Sequence, residues 1–169
     1  DILDSSMVNR KDILIGLPST GLHTNGYSLA RKICFEVQGF KIDDQIEGLD
    51  NTIGDELLKV HRSYLQAVNE LRAKVKIHGL AHITGGGIAG NTLRVIPKDT
   101  GLRIDWDAWE IPPIFRLLQE WGEVPVEDMQ RTFNMGIGLI IITAPEDKEQ
   151  AVDILAKSGE NPVIIGEVV

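Results

Sequence analysis

The sequence predicts a layered α/β (α+β) domain, because apolar segments of strand length alternate with segments of helical periodicity. The clearest strand is 137–143, an apolar run rich in isoleucine. The clearest helix is 27–37, where apolar side chains recur on one face. Because 169 residues suffice for one hydrophobic core, we expect a single domain over 1–169.

The other elements are predicted from apolar runs bounded by proline, glycine or acidic segments. Strands are expected at 12–17, 101–106 and 163–169, with 75–83 as a strand or connector. Helices are expected at 56–73, 114–121, 126–131 and 145–157, and 40–55 is expected to be a loop.

The composition limits the classes of partner. The formal net charge of −8 opposes broad binding to nucleic acid or to an anionic membrane surface. The single cysteine, Cys34, excludes an intrachain disulfide and a cysteine metal cage, and it favours a reducing cytoplasm. Its place in a predicted helix indicates a packed core thiol rather than a nucleophile.

No membrane span is predicted, since no apolar run approaches about 18–20 residues. No signal peptide is predicted, since the first residues, Asp1-Ile2-Leu3-Asp4, lack its basic and apolar parts. The chain begins with Asp1 instead of an initiator methionine, so we expect it to start inside a longer protein.

The first motif is 16–26, Gly-Leu-Pro-Ser-Thr-Gly-Leu-His-Thr-Asn-Gly, between a predicted strand and a predicted helix. Such junctions offer backbone N–H groups to anions, and this one adds several polar side chains. A simple capped loop, with Thr24 or Asn25 as the helix N-cap, is the alternative, and the residues leave both open.

The second motif is 82–92, which contains Gly85-Gly86-Gly87 after an apolar segment. Gly85, Gly87 and Gly90 match the dinucleotide-binding pattern. Asp105, twenty residues after Gly85, stands where that pattern expects an acidic residue that binds ribose. A Rossmann helix would have little room before Pro97, so we treat this as a weaker alternative. The P-loop pattern is rejected because Asn91 stands where lysine is required.

The third motif is 131–138, where Asn134 and Gly136 enter the predicted strand and read most simply as a turn. His61 and His78 are isolated in the sequence, and we interpret them as surface or structural residues. No histidine or carboxylate spacing typical of a metal site is present, so no metal is predicted to be held by this chain's own ligands.

Taken together and in order, 16–32, 79–87 and 133–138 resemble the aminoimidazole ribonucleotide synthetase family, and 165–168 resembles its closing strand. The resemblance implies a three-layer α/β/α C-terminal domain with a mixed, partly ferredoxin-like sheet. It also implies an N-terminal domain absent from this chain, which carries much of the ATP and Mg²⁺ site and the homodimer interface.

The implied activity is that of a phosphoribosylformylglycinamidine cyclo-ligase in purine biosynthesis. ATP drives the closure of formylglycinamidine ribonucleotide to aminoimidazole ribonucleotide, and ADP and phosphate are released. The isolated domain is expected to be inactive, with apolar surface exposed where the absent domain would dock.

The resemblance assigns roles by motif position. His23 and Asn25 are the expected catalytic residues, with His23 in an electrophilic or acid–base role. His82 is a weaker candidate for a functional role, and a packing role is the alternative for it. The residues expected to bind substrate or phosphate are Ser19, Gly21, Thr24, Thr84, Gly85, Gly86, Gly87, Asn134 and Gly136.

One segment departs from the family pattern. Val60-His61-Arg62 stands where many members have Pro-Thr and a basic residue, so no function is transferred to His61. The alternatives to the cyclo-ligase are a related ATP-using enzyme (selenophosphate synthetase, thiamine-monophosphate kinase or hydrogenase-maturation type), a Rossmann-like NAD-binding domain, and a non-catalytic phosphometabolite-binding module.

Overall fold

Five strands form one sheet in the computed structural model, which describes residues 3–169. They are β1 (Ile13–Pro18), β2 (Ile77–His82), β3 (Leu102–Ile104), β4 (Ile137–Thr143) and β5 (Val163–Val168). Their order across the sheet is β2-β4-β1-β5-β3. Every residue of β4 is buried, which explains its uninterrupted apolar sequence.

All four strand pairings are antiparallel, so the expectation of a mixed sheet is wrong. The reason lies in the order of the strands. β1, β2 and β3 run in one direction, and β4 and β5 run in the opposite direction between them. Parallel strands are therefore second neighbours and never pair within the described chain.

The helices lie between and after these strands. They are α1 (Tyr27–Arg31), α2 (Ile53–Leu57), α3 (Leu65–Arg72), α4 (Gly87–Thr92), α5 (Pro113–Trp121), α6 (Val126–Thr132) and α7 (Lys148–Lys157). α1 continues as a π-helical segment, Lys32–Val37, and short 3₁₀ turns occur at Ser5–Met7, Leu93–Val95 and Pro145–Asp147. No helix described between residues 3 and 169 is long and apolar enough to cross a membrane.

Helices cover both faces of the sheet, which confirms the three-layer α/β/α arrangement. On one face, α3 and α7 pack on β1, β2 and β4 through residues such as Leu71 and Leu155. On the other face, Ile88 of α4 packs on β2, β4 and β5. A third cluster joins α1, α2, α5 and α6, and it encloses Cys34 as expected. Burial raises the pKa of the Cys34 thiol to about 11.

Two element predictions need correction. The helix predicted over 56–73 is interrupted, since α2 ends at Leu57 and α3 begins only at Leu65. The segment 58–64 between them is irregular, and its Leu58 and Val60 are 79% and 83% exposed. The predicted loop over 40–55 holds one isolated bridge, between Gln45 and Thr52, and the start of α2.

The Rossmann alternative is also excluded by the fold. The helix that follows the glycine cluster, α4, has six residues, and the neighbour of β2 is the antiparallel strand β4. A dinucleotide-binding unit requires a helical crossover between parallel strands of one sheet.

Candidate active site

Three loops meet at one edge of the sheet because of the strand directions. β1 and β2 both end there, and β4 starts there: Pro18 pairs with Ile137, and His82 pairs with Leu139. The first loop is 19–26, the glycine loop is 83–87 and the asparagine loop is 133–136. The irregular segment 58–64, here called the histidine loop, lies beside the first loop, because the Thr20 hydroxyl donates to the Val60 carbonyl at 2.6 Å.

Asn134 joins the asparagine loop to the first loop. Its Oδ1 accepts from the Ser19 hydroxyl at 3.0 Å and from the Gly136 amide at 2.8 Å. Its Nδ2 donates to the Gly21 carbonyl at 2.9 Å, and the Ser19 amide donates to the Gly136 carbonyl at 2.8 Å. Asn134 is 2% exposed, so this side chain fixes the wall of the site.

Asn25 joins the first loop to the glycine loop, since its Oδ1 accepts from the Gly85 amide at 2.9 Å. The N-cap position of α1 is occupied by Gly26, at φ 77°, without a side-chain cap. Interpreting Thr24 or Asn25 as an ordinary N-cap is therefore wrong. A side chain at position 26 would collide with Phe133, so glycine permits the first loop to pass close to the asparagine loop.

The amides of the glycine loop are used within the chain. Gly85 donates to Asn25, Gly86 donates to the Arg131 carbonyl at 3.0 Å, and Gly87 donates to the Thr84 carbonyl at 3.1 Å. The Thr84 hydroxyl donates to Asn91 at 2.9 Å. A phosphate held by these amides would have to replace at least one of these internal acceptors.

A hollow of about 450 Å³ opens beside Gly86, between α4 and α6, with Trp106 and Arg131 on its walls. The first loop contributes no residue to its lining. This cavity is therefore not shared by the first loop and the glycine loop, although the two loops are in contact.

His23 is held in a buried and strained position. It is 4% exposed and has a left-handed φ of 56°, which is uncommon for a residue other than glycine. Its Nε2 accepts from the Thr20 amide at 3.1 Å, so the neutral ring carries its proton on Nδ1. Within the described chain this buried Nδ1 has no hydrogen-bond partner.

His23 is also electrically neutral near physiological pH. Burial, followed by the charges of His61 and His82, lowers the pKa of His23 to about 4. The pKa of His82 is lowered too, first by burial and then by His61.

His61 is brought against His23 and His82, which sequence spacing did not reveal. The ring centroids of His23 and His61 are 4.1 Å apart, and the Nε2 atoms of His61 and His82 are 3.2 Å apart. His61 is exposed, as interpreted, but it is isolated only in the sequence and not in space. His78 lies elsewhere, where its Nδ1 is 2.7 Å from Asp12 in a buried pair.

The predicted site residues are thus largely assembled in one place. The residues that the contacts above bring together are Ser19, Gly21, His23, Asn25, Gly85, Asn134 and Gly136. Thr24 is exposed, and the Thr84 hydroxyl faces α4. Tyr64, which sequence reasoning missed, donates to the Pro18 carbonyl at 2.8 Å and contacts His23.

The family model for "AIR synthase related protein, C-terminal domain" matches residues 10–169. The chain belongs to this family. Its sequence is 43% identical over 168 residues to the phosphoribosylformylglycinamidine cyclo-ligase of Alkaliphilus oremlandii, covering 99% of this chain and 49% of that protein. The enzyme of the same name from Desulfotalea psychrophila is 44% identical, with 99% and 47% covered. The chain therefore spans about half the length of the curated relatives it matches.

Solved structures with the same fold are more distant. A hydrogenase maturation protein HypE matches with a TM-score of 0.63 at 19% identity, over 98% of this AIR synthase related domain and 46% of HypE. T. maritima PurL complexed with FGAR matches with a TM-score of 0.55 at 13% identity, over 99% and 25% of the two chains. At these sequence identities the similarity shows a shared fold and nothing further.

Proposed function

We propose that this domain is the C-terminal half of a phosphoribosylformylglycinamidine cyclo-ligase. The reaction is the ATP-dependent closure of formylglycinamidine ribonucleotide to aminoimidazole ribonucleotide, with release of ADP and phosphate. Relatives bearing that name, above 40% identity over nearly the whole domain, support this proposal. They are about twice as long, which supports a second, N-terminal half as the partner of this one.

The chemistry needs an activated oxygen. The formyl oxygen of the substrate attacks the γ-phosphorus of ATP, and ADP leaves. An amidine nitrogen then attacks the carbon that bears this phosphorylated oxygen, phosphate leaves with the oxygen, and the nitrogen loses a proton. Positioning and charge stabilisation suffice for such a phosphoryl transfer, without a covalent protein intermediate.

The observation that carries the role of His23 is its unpaired Nδ1–H. The neutral imidazole of His23 is fixed by Thr20 and buried beside the loops, and its Nδ1–H is a donor without an acceptor among the described residues. We assign that acceptor to the reacting oxygen of the substrate or to the transferring phosphoryl group. A neutral donor stabilises developing negative charge without first losing its own proton, as in other enzymes with a lowered histidine pKa.

Asn25 is proposed to act through the glycine loop. Its bond to Gly85 sets the distance between the two loops, and a phosphate that takes over the Gly85 amide would release the Asn25 side chain. The Asn25 amide would then be free to contact the substrate. Asn134 keeps its proposed place as the wall, because three hydrogen bonds already occupy its side chain.

The polar groups of this half suit the phosphates of ATP better than they suit Mg²⁺. The segments 18–26, 82–90 and 133–138 contain hydroxyl, amide and imidazole groups, which suit phosphate oxygens. None of these segments contains an aspartate or glutamate, and Mg²⁺ prefers oxygen ligands such as carboxylates. We therefore place the Mg²⁺ ligands in the N-terminal half and only phosphate contacts in this one.

The exposed apolar side chains of the histidine loop and of the start of α3 support a docking role for this side of the domain. Leu58, Val60 and Leu65 are 79%, 83% and 69% exposed, and they surround His61 in sequence. Such a concentration of exposed apolar groups is typical of a surface that another domain covers. The N-terminal half is the proposed occupant, and homodimerisation of the complete protein stays a prediction.

The decisive experiment uses the full-length parent enzyme and measures formation of aminoimidazole ribonucleotide. His23→Ala is expected to lower kcat by about 10²- to 10³-fold, the loss typical of a removed charge-stabilising donor. Asn25→Ala is expected to lower kcat and raise KM. Gln66→Ala, on the exposed part of α3, is the control and should retain parental turnover.

Parental activity in both His23→Ala and Asn25→Ala would refute the assignment of the site. Tight binding of a phosphorylated metabolite by this domain alone, with no turnover after the N-terminal half is supplied, would instead favour the non-catalytic binding module.

A further inference from the structure

We propose that His23, His61 and His82 form a binding site for Zn²⁺. One ring nitrogen from each histidine lies within 4.8 Å of the ligand nitrogens of the other two. Three imidazoles that converge in this way match the ligand set of zinc sites that keep a fourth position open for water. This inference does not depend on the proposed ring closure.

The separation of one ligand pair already suits the metal. A Zn–N bond of about 2.0–2.1 Å with tetrahedral angles places two ligand nitrogens roughly 3.3 Å apart. The Nε2 atoms of His61 and His82 are 3.2 Å apart. The ligand nitrogen of His23 lies no more than 4.8 Å from the other two, so these distances must shorten by at most roughly 1.5 Å to complete the set.

The elements allow this small movement. His82 is the last residue of β2, where pairing with Leu139 fixes its backbone. His23 is enclosed by the core, whereas His61 is exposed on the irregular histidine loop. The exposed rings of His61 and His82 can therefore turn toward His23, which stays in place, and the exposed side of the cluster gives an ion access from solvent.

His23 supplies an observation that does not depend on the cluster geometry. Its ring is 4% exposed, and its Nδ1 has no partner among the described residues. A metal bound at His23 Nε2 displaces the Thr20 amide directly. A metal bound at Nδ1 moves the ring proton to Nε2, which can then no longer accept from Thr20. Either mode therefore replaces the Thr20 hydrogen bond with a metal bond. Thr20 is exposed, and its released amide can turn to water.

The surrounding charges permit a cation. Arg62 is the cationic neighbour of the cluster, and its guanidinium pairs with Glu160 at 2.9 Å. A zinc ion here would also occupy His23, so zinc and the substrate would exclude each other.

The test is titration of the metal-free 169-residue chain with Zn²⁺ by calorimetry, and with Co²⁺ alone as a spectroscopic substitute. One Zn²⁺ per chain is expected, with visible absorption bands of four-coordinate Co²⁺. His61→Ala and His82→Ala, both at exposed positions, should each weaken binding by at least about tenfold. Ser63→Ala, an exposed change on the same loop without a ligand nitrogen, should leave the affinity unchanged.

Several outcomes would overturn the proposal: no binding of stoichiometric Zn²⁺, equal affinity in the histidine variants, or an equal loss in Ser63→Ala. His23→Ala should show the same loss, and if it fails to fold the two exposed variants decide. Because the readout is binding, a negative result leaves the ring-closure proposal standing, and inactive parent enzyme would leave zinc binding intact.

Discussion

Asn25 and Gly85 are sixty residues apart in the chain and are joined by a hydrogen bond from the Gly85 amide to Asn25 Oδ1, at 2.9 Å. β1 and β2, which lead into their loops, are separated in the sheet by β4. The loops thus make a contact that the strands themselves do not. This bond determines how close the first loop and the glycine loop lie.

Asn25→Ala should release the glycine loop. The substitution removes the acceptor of the Gly85 amide, and we expect faster hydrogen exchange at Gly85 with a loss of about 1 kcal/mol in the free energy of unfolding. Asn25→Asp is the matched control, since it keeps an oxygen acceptor and should preserve the protection. Unchanged exchange at Gly85 in Asn25→Ala would show that the bond is not maintained in solution.

Acid should destabilise the domain through His23. The pKa of His23 is about 4 in the folded protein and 6.5 in the unfolded chain, so the unfolded chain binds the proton first as pH falls. Stability is therefore lost as pH decreases from about 6.5 to about 4, by roughly 3 kcal/mol at most. The measurement is the free energy of unfolding across this range for the parent and for His23→Asn, chosen because asparagine tolerates a left-handed φ. The parent should show the steeper loss, and identical pH profiles would contradict the assignment.

Gly138→Ala should displace His23. A methyl group at position 138 would come within 2.6 Å of His23 Cε1 and would also collide with the Tyr64 hydroxyl. We expect a loss of about 1–3 kcal/mol and altered imidazole NMR shifts for His23. Gly90→Ala is the control, because open space surrounds that position in α4, and it should be neutral or stabilising by about 0.5–1 kcal/mol. Equal stability of the two variants would show that position 138 has more room than its neighbours indicate.

Gly87→Ala should be among the most damaging glycine substitutions. Its φ is 66°, and a methyl group would overlap the Gln130 carbonyl oxygen of α6. Gly39→Ala is the control, because Gly39 has a similar φ of 70° but open space around it, so this substitution causes backbone strain without a steric clash. Thermal or urea unfolding should show a loss of about 1–2 kcal/mol for Gly39→Ala and at least about 3 kcal/mol for Gly87→Ala. Similar losses would mean that α4 and α6 separate easily.

β1 and β4 were predictable because their apolar runs are contiguous and bounded by proline, glycine or charge. Their direction was not, because pairing joins residues far apart in the chain, such as Ile13 and Thr143. The helix predicted over 56–73 failed for a related reason. Leu58 and Leu65 fit the apolar pattern of a helix in this segment, yet both are exposed, and the chain between them is irregular.

The first loop was predictable as a candidate site, since its glycines and polar side chains are dense in the sequence. His61 was not, because its neighbours in space, His23 and His82, come from two other elements. Short spacings between histidines in the sequence reveal metal ligands only when these lie on one helix or turn. His23, His61 and His82 each lie on a different segment. The roles of His23 and Asn25 stay predictions until turnover is measured.

The order of the strands has a consequence for how the chain acquires its structure during synthesis. β1, β2 and β3 have no pairing with one another in the described chain, and each needs β4 or β5 as a neighbour. A nascent chain that ends before Ile137 consequently contains three strands and no ladder. Folding must wait for roughly the last fifth of the domain to leave the ribosome, and until then the unpaired hydrophobic strands are exposed to aggregation.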